Sequence, residues 1–171
     1  MTNIETLGKE DTVVYSLQYH FSQIFVIPPL EAYMWCTNYD PNDLTLMHQK
    51  GKREITRLTE NTIILTDTFY NEKKTINKKK LIQLYPDRLS WTNTHLSGPN
   101  KYSQFIYEIK PENEGLSKLN YIGLQMEHKK PIKLGKKEIE AREIEQMNQD
   151  ASVWKIIAKE MEKELGKTSQ F

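Results

Sequence analysis

The run with the most chemical content is Trp91-Thr92-Asn93-Thr94-His95-Leu96-Ser97-Gly98-Pro99-Asn100. If it forms a strand, Trp91, Asn93 and His95 share one face, because side chains alternate strictly along a strand. An amide and an imidazole on an otherwise apolar inner face need hydrogen-bond partners, water or a ligand. An imidazole titrating near neutrality could hold a substrate carbonyl or serve as a general acid or base. The plainer reading puts Asn93 and His95 at the wet end of a sheet, bonded to Ser103 and Gln125 or to water. Ligand contact is the alternative. Catalysis asks for more than either, and no catalytic residue is assigned.

Other candidates are weaker. His20, His48, His95 and His128 lie far apart, with no HxxxH, HExxH or paired-cysteine spacing, so neither a metal site nor a cofactor is expected. No glycine-rich phosphate loop and no GxSxG elbow occurs. A nucleophilic Cys36 would need a base and electropositive surroundings, and a buried structural thiol is the simpler expectation. Arg53 and Asp67 could pair inside a cavity. A strict two-residue turn at Glu60-Asn61 would instead set Asp67 opposite Glu54, which predicts an exposed ladder of charges. Lys73, Lys74, Lys78, Lys79 and Lys80 lack the interleaved aromatics of a nucleic-acid groove, apart from Tyr70, and read as solubilising charge on a turn.

Composition narrows the class. With 171 residues the chain has room for one domain and can bury a core without covalent staples. Basic and acidic residues nearly cancel, at 24 against 23, so no global field recruits nucleic acid or anionic membrane. The single cysteine fits a reducing compartment, and no apolar run approaches the ~18 residues of a membrane span. The first residues show neither the basic start nor the apolar stretch of a signal peptide. A cytoplasmic protein with no stable membrane insertion is the expectation.

These residues need elements to position them. Residues 1–14 are polar and aperiodic, and a flexible segment is expected there. Tyr15, Leu17, Tyr19, Phe21, Phe25 and Ile27 share one parity, which predicts a long first strand. Pro28-Pro29 ends it and opens a short helix over Leu30 to Thr37, with Tyr33 and Met34 turned to the core. Asp40-Pro41 is a cap followed by proline at the first helical position, predicting a second short helix over Pro41 to His48. Strands are then expected over Lys52 to Thr59, Thr62 to Tyr70, Leu81 to Tyr85, Arg88 to Leu96, Tyr102 to Ile109 and Leu116 to Glu127. A two-residue turn at Pro86-Asp87 would pair Leu84 with Leu89 and Ile82 with Trp91. A five-residue loop over 97–101 would set Tyr107 beside Trp91, Phe105 beside Asn93 and Ser103 beside His95. Whether the last strand turns Leu119 and Tyr121 inward, or Ile122, Leu124 and Met126, stays open, since both parities carry apolar residues.

The final element is the longest. Ile144, Met147, Ala151, Trp154, Ala158, Met161 and Leu165 recur at spacings of three and four, one stripe of a helix over Lys136 to Gly166. Glutamates crowd its first half and lysines its second, matching the macrodipole, and Gly166 suits the residue just past its end. The stripe runs through Asn148-Gln149-Asp150 unbroken, predicting one continuous helix laid over Ile82, Trp91, Phe105 and Tyr107. The class is α+β.

This order of elements, with the first strand running into Pro28-Pro29-Leu30-Glu31-Ala32-Tyr33-Met34-Trp35 and then Asp40-Pro41, resembles the START-like superfamily, also called SRPBCC or helix-grip. The resemblance spans residues 15–166, leaving 1–14 and a tail over 167–171 outside it. It implies a curved antiparallel sheet of six to seven strands gripping the C-terminal helix, with a cavity between them. Members bind lipids, polyketides, hormones or other hydrophobic molecules; others cyclise polyketides, hydroxylate rings or stimulate chaperones. The expectation is a small hydrophobic ligand, bound for transport or sensing, against Trp91, Asn93, His95, Phe105, Tyr107, Tyr121 and Trp154. The alternatives are a polyketide cyclase-like enzyme using His95 as general acid or base, and a module that binds a protein partner.

Overall fold

In the computed structural model, residues 15–46, 49–128 and 134–168 are described. The segment 1–14, His48 and the tail beyond Thr168 lie outside them. The parity of the first strand holds: β1, Tyr15–Phe25, turns Leu17, Tyr19 and Phe25 into the core. Pro29 opens helix α1, Pro29–Cys36, at the position where its missing N–H costs nothing. Ala32 and Tyr33 of α1 are buried, but Met34 is exposed, against expectation, because it points away from the sheet side of this short helix. Helix α2, Asp43–Leu46, is shorter than its proline-led start suggests. The strands β2, Gly51–Thr59; β3, Thr62–Tyr70; β4, Thr75–Tyr85; β5, Ser90–His95; β6, Gln104–Pro111; and β7, Ser117–Glu127, then follow. All pairings are antiparallel, in the order β1-β7-β6-β5-β4-β3-β2. Helix α3, Lys136–Thr168, closes the fold.

Three registers decide which side chains meet. Between β5 and β6, Trp91 pairs with Tyr107 and Asn93 with Phe105, as the loop length predicts. The β4–β5 connection differs. Pro86–Arg88 forms a single 3-10 turn and Leu89 takes the left-handed conformation at φ 48°, so Leu84 pairs with Trp91 and Ile82 with Asn93. That shift of register is by an even number of residues, so every side chain keeps its face. The third change matters most. A bulge between Arg57 and Thr59 adds a residue to β2, which sets Arg53, not Glu54, opposite Asp67.

The last strand turns Leu119 and Tyr121 inward and leaves Ile122 exposed. The helix runs unbroken through Asn148 to Asp150 and continues past Gly166 to Thr168, so the glycine does not terminate it. Met147, Trp154, Ala158, Met161 and Leu165 pack on the core, whereas Ile144 is 58% exposed. Ile139, in the first turn of the helix, packs on the core as well, so Ile144 departs from the contact while the turn before it does not. The helix also lies chiefly along β1 instead of over the middle of the sheet. There it shields an open edge: the Gln18 and Val26 N–H groups donate to the carboxylates of Glu143 and Glu162. Among the described residues, no helix is long and apolar enough to cross a membrane.

Candidate functional site

The inner face of the sheet carries an aromatic wall. Trp91 on β5 and Tyr107 on β6 stack at 4.8 Å with nearly parallel rings, and Tyr107 meets Tyr121 on β7 edge to face at 5.2 Å. Phe105 lies 5.8 Å from Tyr121 and 5.2 Å from the ring of His95. Trp154 reaches from α3 to Tyr107 at 5.6 Å and to Phe25 at 6.4 Å. Asn93, beside Phe105, completes the group, so the seven residues singled out from sequence form one contiguous surface.

Two of them are left with unfilled hydrogen-bonding capacity. Asn93 Oδ1 and His95 Nδ1 are buried and find no partner among the described residues. Ser103 and Gln125, the expected partners, are engaged elsewhere. Ser103 Oγ accepts from the Met126 N–H at 2.9 Å, and the Gln125 amide donates to Glu127 and Gln146. Burial, with Lys80 and Lys78 adding to it, lowers His95 to about 3. The ring is therefore neutral at pH 7 and a poor proton acceptor. Its chemistry there is hydrogen bonding, not the acid–base transfer a cyclase-like mechanism would ask of it.

Cys36 at the end of α1 and Tyr39 just beyond it also face this interior. Both keep some accessible surface, yet burial pushes the Cys36 thiol up and the Tyr39 hydroxyl well up, the latter with Tyr107 contributing.

Two polar clusters flank the wall. On the α3 side, Asp150 Oδ2 accepts from the hydroxyls of Tyr19 at 2.5 Å and Tyr121 at 2.8 Å, while its Oδ1 accepts from the Gln146 amide at 3.0 Å. Burial raises both tyrosines, and the Asp150 carboxylate raises them further. Asp150 was not singled out from sequence, although it sits three residues after Met147 and four before Trp154, on the flank of the stripe.

On the β2–β4 side, Arg53 grips Asp67 in a forked pair, Nε to Oδ1 at 2.7 Å and NH2 to Oδ2 at 2.9 Å, and Lys80 Nζ adds 3.1 Å to Oδ2. The Asp67 side chain is 0% exposed, so this is a buried ion-pair group and not the exposed ladder expected. Burial opposes the charge on Asp67, but Arg53 and Lys80 outweigh it and hold the carboxyl below its ordinary value. The lysine stretch is also corrected: the turn is Asn71 to Lys74, and Lys78 and Lys80 stand within β4, on the inward parity of Ile82. Sharing parity with Ile82 and Leu84 was the signal that could have found them.

The outer side of the sheet has its own opening, a groove of about 830 Å³. Ile106, Ile122 and Leu124 form its floor, and Ile144 and Met147 of α3 its wall; none of the seven aromatic-wall residues lines it. Among the described residues, no cluster of three histidine, cysteine or carboxylate ligands could hold a metal.

No family model matches the chain, and no curated protein matches it. Solved structures do. The Zhui aromatase/cyclase from Streptomyces sp. R1128 is similar with a TM-score of 0.66 at 12% identity, over 88% of this chain and 96% of that one. Norcoclaurine synthase from Thalictrum flavum, in complex with dopamine and hydroxybenzaldehyde, gives 0.63 at 11%, over 86% and 87%. A START superfamily protein from Mycobacterium smegmatis gives 0.60 at 10%, over 89% and 99%. A seven-stranded antiparallel sheet gripping one long C-terminal helix, shared with these structures over 86–89% of the chain, is the helix-grip fold that START-like proteins have.

Proposed function

We propose that the chain binds a small hydrophobic molecule between the inner face of the sheet and α3, against Trp91, Asn93, His95, Phe105, Tyr107, Tyr121 and Trp154. One observation carries this reading: Asn93 Oδ1 and His95 Nδ1 are buried without partners on a wall otherwise made of rings. An unmet buried polar atom costs about 1–3 kcal/mol, which a ligand's polar group offsets and which water relieves when the ligand is away. Apolar contact supplies the bulk of the affinity; about 200 Å² of ligand surface removed from water is worth roughly 5 kcal/mol. The fold is compatible with small aromatic guests, as the synthase structure holding dopamine and hydroxybenzaldehyde illustrates. A neutral His95 favours holding a ligand over transforming it.

The test uses the neutral fluorophore N-phenyl-1-naphthylamine, which brightens in apolar surroundings and takes energy from nearby tryptophan. Saturable one-to-one binding is expected, unchanged in Ile122→Glu, since Ile122 lies on the outer groove. Absence of saturable binding overturns the proposal. So does binding that Ile122→Glu abolishes, which would put the guest in the groove.

A further inference from the structure

The charge arrangement beside the aromatic wall narrows the class of ligand, an inference that rests on the proposed binding site. Arg53, Lys78 and Lys80 bring three cations to this end of the interior. Both oxygens of the Asp67 carboxylate are taken by Arg53 and Lys80, and Asp43 lies 3.2 Å from Arg53. Lys78 joins none of the ion pairs among the described residues. Its ammonium sits 5.5 Å from the centre of the Phe69 ring, next to that of Lys80 at 6.0 Å from the same ring. The carboxylate facing it from α3, Asp150, is already held by Tyr19, Tyr121 and Gln146. His95 is 7% exposed, lies close enough to feel both lysines, and has an unpartnered Nδ1.

A half-buried ammonium without a carboxylate, beside a buried ring nitrogen without a partner that one tautomer makes a donor, is half of an ion pair. We propose that the missing half comes from the ligand: an apolar molecule carrying one anionic group, whose charge docks on Lys78 and His95 Nδ1 while its body lies along Phe105 and Tyr107. Lys80 contributes field, and Asp67, by occupying Lys80 and Arg53, leaves Lys78 to take the anion.

Two probes that differ by one charge test this. 8-Anilinonaphthalene-1-sulfonate has the ring system of N-phenyl-1-naphthylamine plus a sulfonate. The anionic probe should bind at least tenfold more tightly. Lys78→Met should erase that preference while changing affinity for the neutral probe less than twofold, and Lys78→Arg should retain it. Retained binding of the neutral probe also reports that each variant is folded. Equal affinities in the wild type, or a preference that survives Lys78→Met, overturn the anionic class and leave the hydrophobic site standing. Loss of both probes from the wild type overturns both.

Discussion

Removing the Asp150 carboxylate should detach the first half of α3 from the sheet more effectively than any other single polar change on that helix. Its Oδ2 accepts from two tyrosine hydroxyls, at 2.5 Å from Tyr19 and 2.8 Å from Tyr121, whose residues are 8% and 4% exposed. A hydrogen bond to a charged acceptor contributes about 1.5–3 kcal/mol net. Asp150 itself is half-buried, which argues for the low end, so the two bonds together contribute about 3 kcal/mol. Asp150→Ala leaves both hydroxyls facing apolar rings without an acceptor, and Asp150→Asn keeps an acceptor oxygen but loses the charge. The expected losses are about 3 kcal/mol for alanine and about half that for asparagine. In a chain of this length, 3 kcal/mol lowers Tm by roughly 6–12 °C. Urea unfolding at pH 7 measures the loss, with an unchanged m-value showing that the folded and unfolded states stay comparable. Tyr19→Phe and Tyr121→Phe should each cost about 1.5 kcal/mol in the native background and almost nothing once Asp150 is alanine. If Asp150→Ala costs under about 0.5 kcal/mol, or the tyrosine changes cost the same in both backgrounds, the hub is not holding the helix.

Other consequences are equally direct. His95 is neutral down to about 3 in the folded chain against 6.5 unfolded, so its contribution is complete above pH 6.5 and is lost as pH falls towards 3. By pH 5 the loss should be about 2 kcal/mol, read as a falling urea midpoint between pH 7 and 5 that His95→Gln flattens. Asp67, held low, adds its own loss only below its ordinary value of 3.8, outside that window. Arg53→Met leaves a carboxylate that is 0% exposed with Lys80 as its remaining cation and should cost about 3 kcal/mol, whereas the double change with Asp67→Leu should cost less than Arg53→Met alone. Gly123→Ala would place a methyl 2.7 Å from the Tyr19 ring, so Tyr19 must swing away from Asp150. That should cost about 1–3 kcal/mol by thermal unfolding, and much less when Tyr19 is already alanine.

Much of the sheet was legible in the sequence because alternation and turn chemistry point the same way there. The β5–β6 register follows from one loop length and brought Trp91, Asn93, Phe105 and Tyr107 together as expected. The β4–β5 turn came out longer than two residues, yet the faces survived, because Pro86 opened a 3-10 turn that shifts the pairing by an even number. β7 was illegible for a specific reason. Ile122, Leu124 and Met126 on its outer parity are as apolar as Leu119 and Tyr121 on the inner, so period two alone cannot choose. The neighbours decide: Tyr121 packs on Phe21, Phe105 and Tyr107, while Ile122 stands opposite Ile106 on the groove side. Ile144 failed for the opposite reason. Its spacing is right for the stripe, but the helix follows β1, and this position opens onto the outer groove while Ile139 and Met147 on either side of it pack on the core.

The interior charges show where pattern-reading has to give way to geometry. A lysine next to other lysines looks like solvent-facing charge, and an arginine opposite an aspartate on a hairpin looks like a surface ladder. Both judgements depend on knowing which face is inside, and one extra residue decides that on β2. Without the bulge between Arg57 and Thr59, Glu54 would face Asp67 and repel it, and Arg53 would point to the other side. With it, Arg53 turns inward and neutralises a carboxylate that could not otherwise stay ionised in the core. Asp67 in turn anchors Lys80 and leaves Lys78, two residues along the same face of β4, outside the ion pairs among the described residues. A single inserted residue, with no chemistry of its own, thus converts a row of apparently exposed charges into a buried ion-pair group beside the aromatic wall.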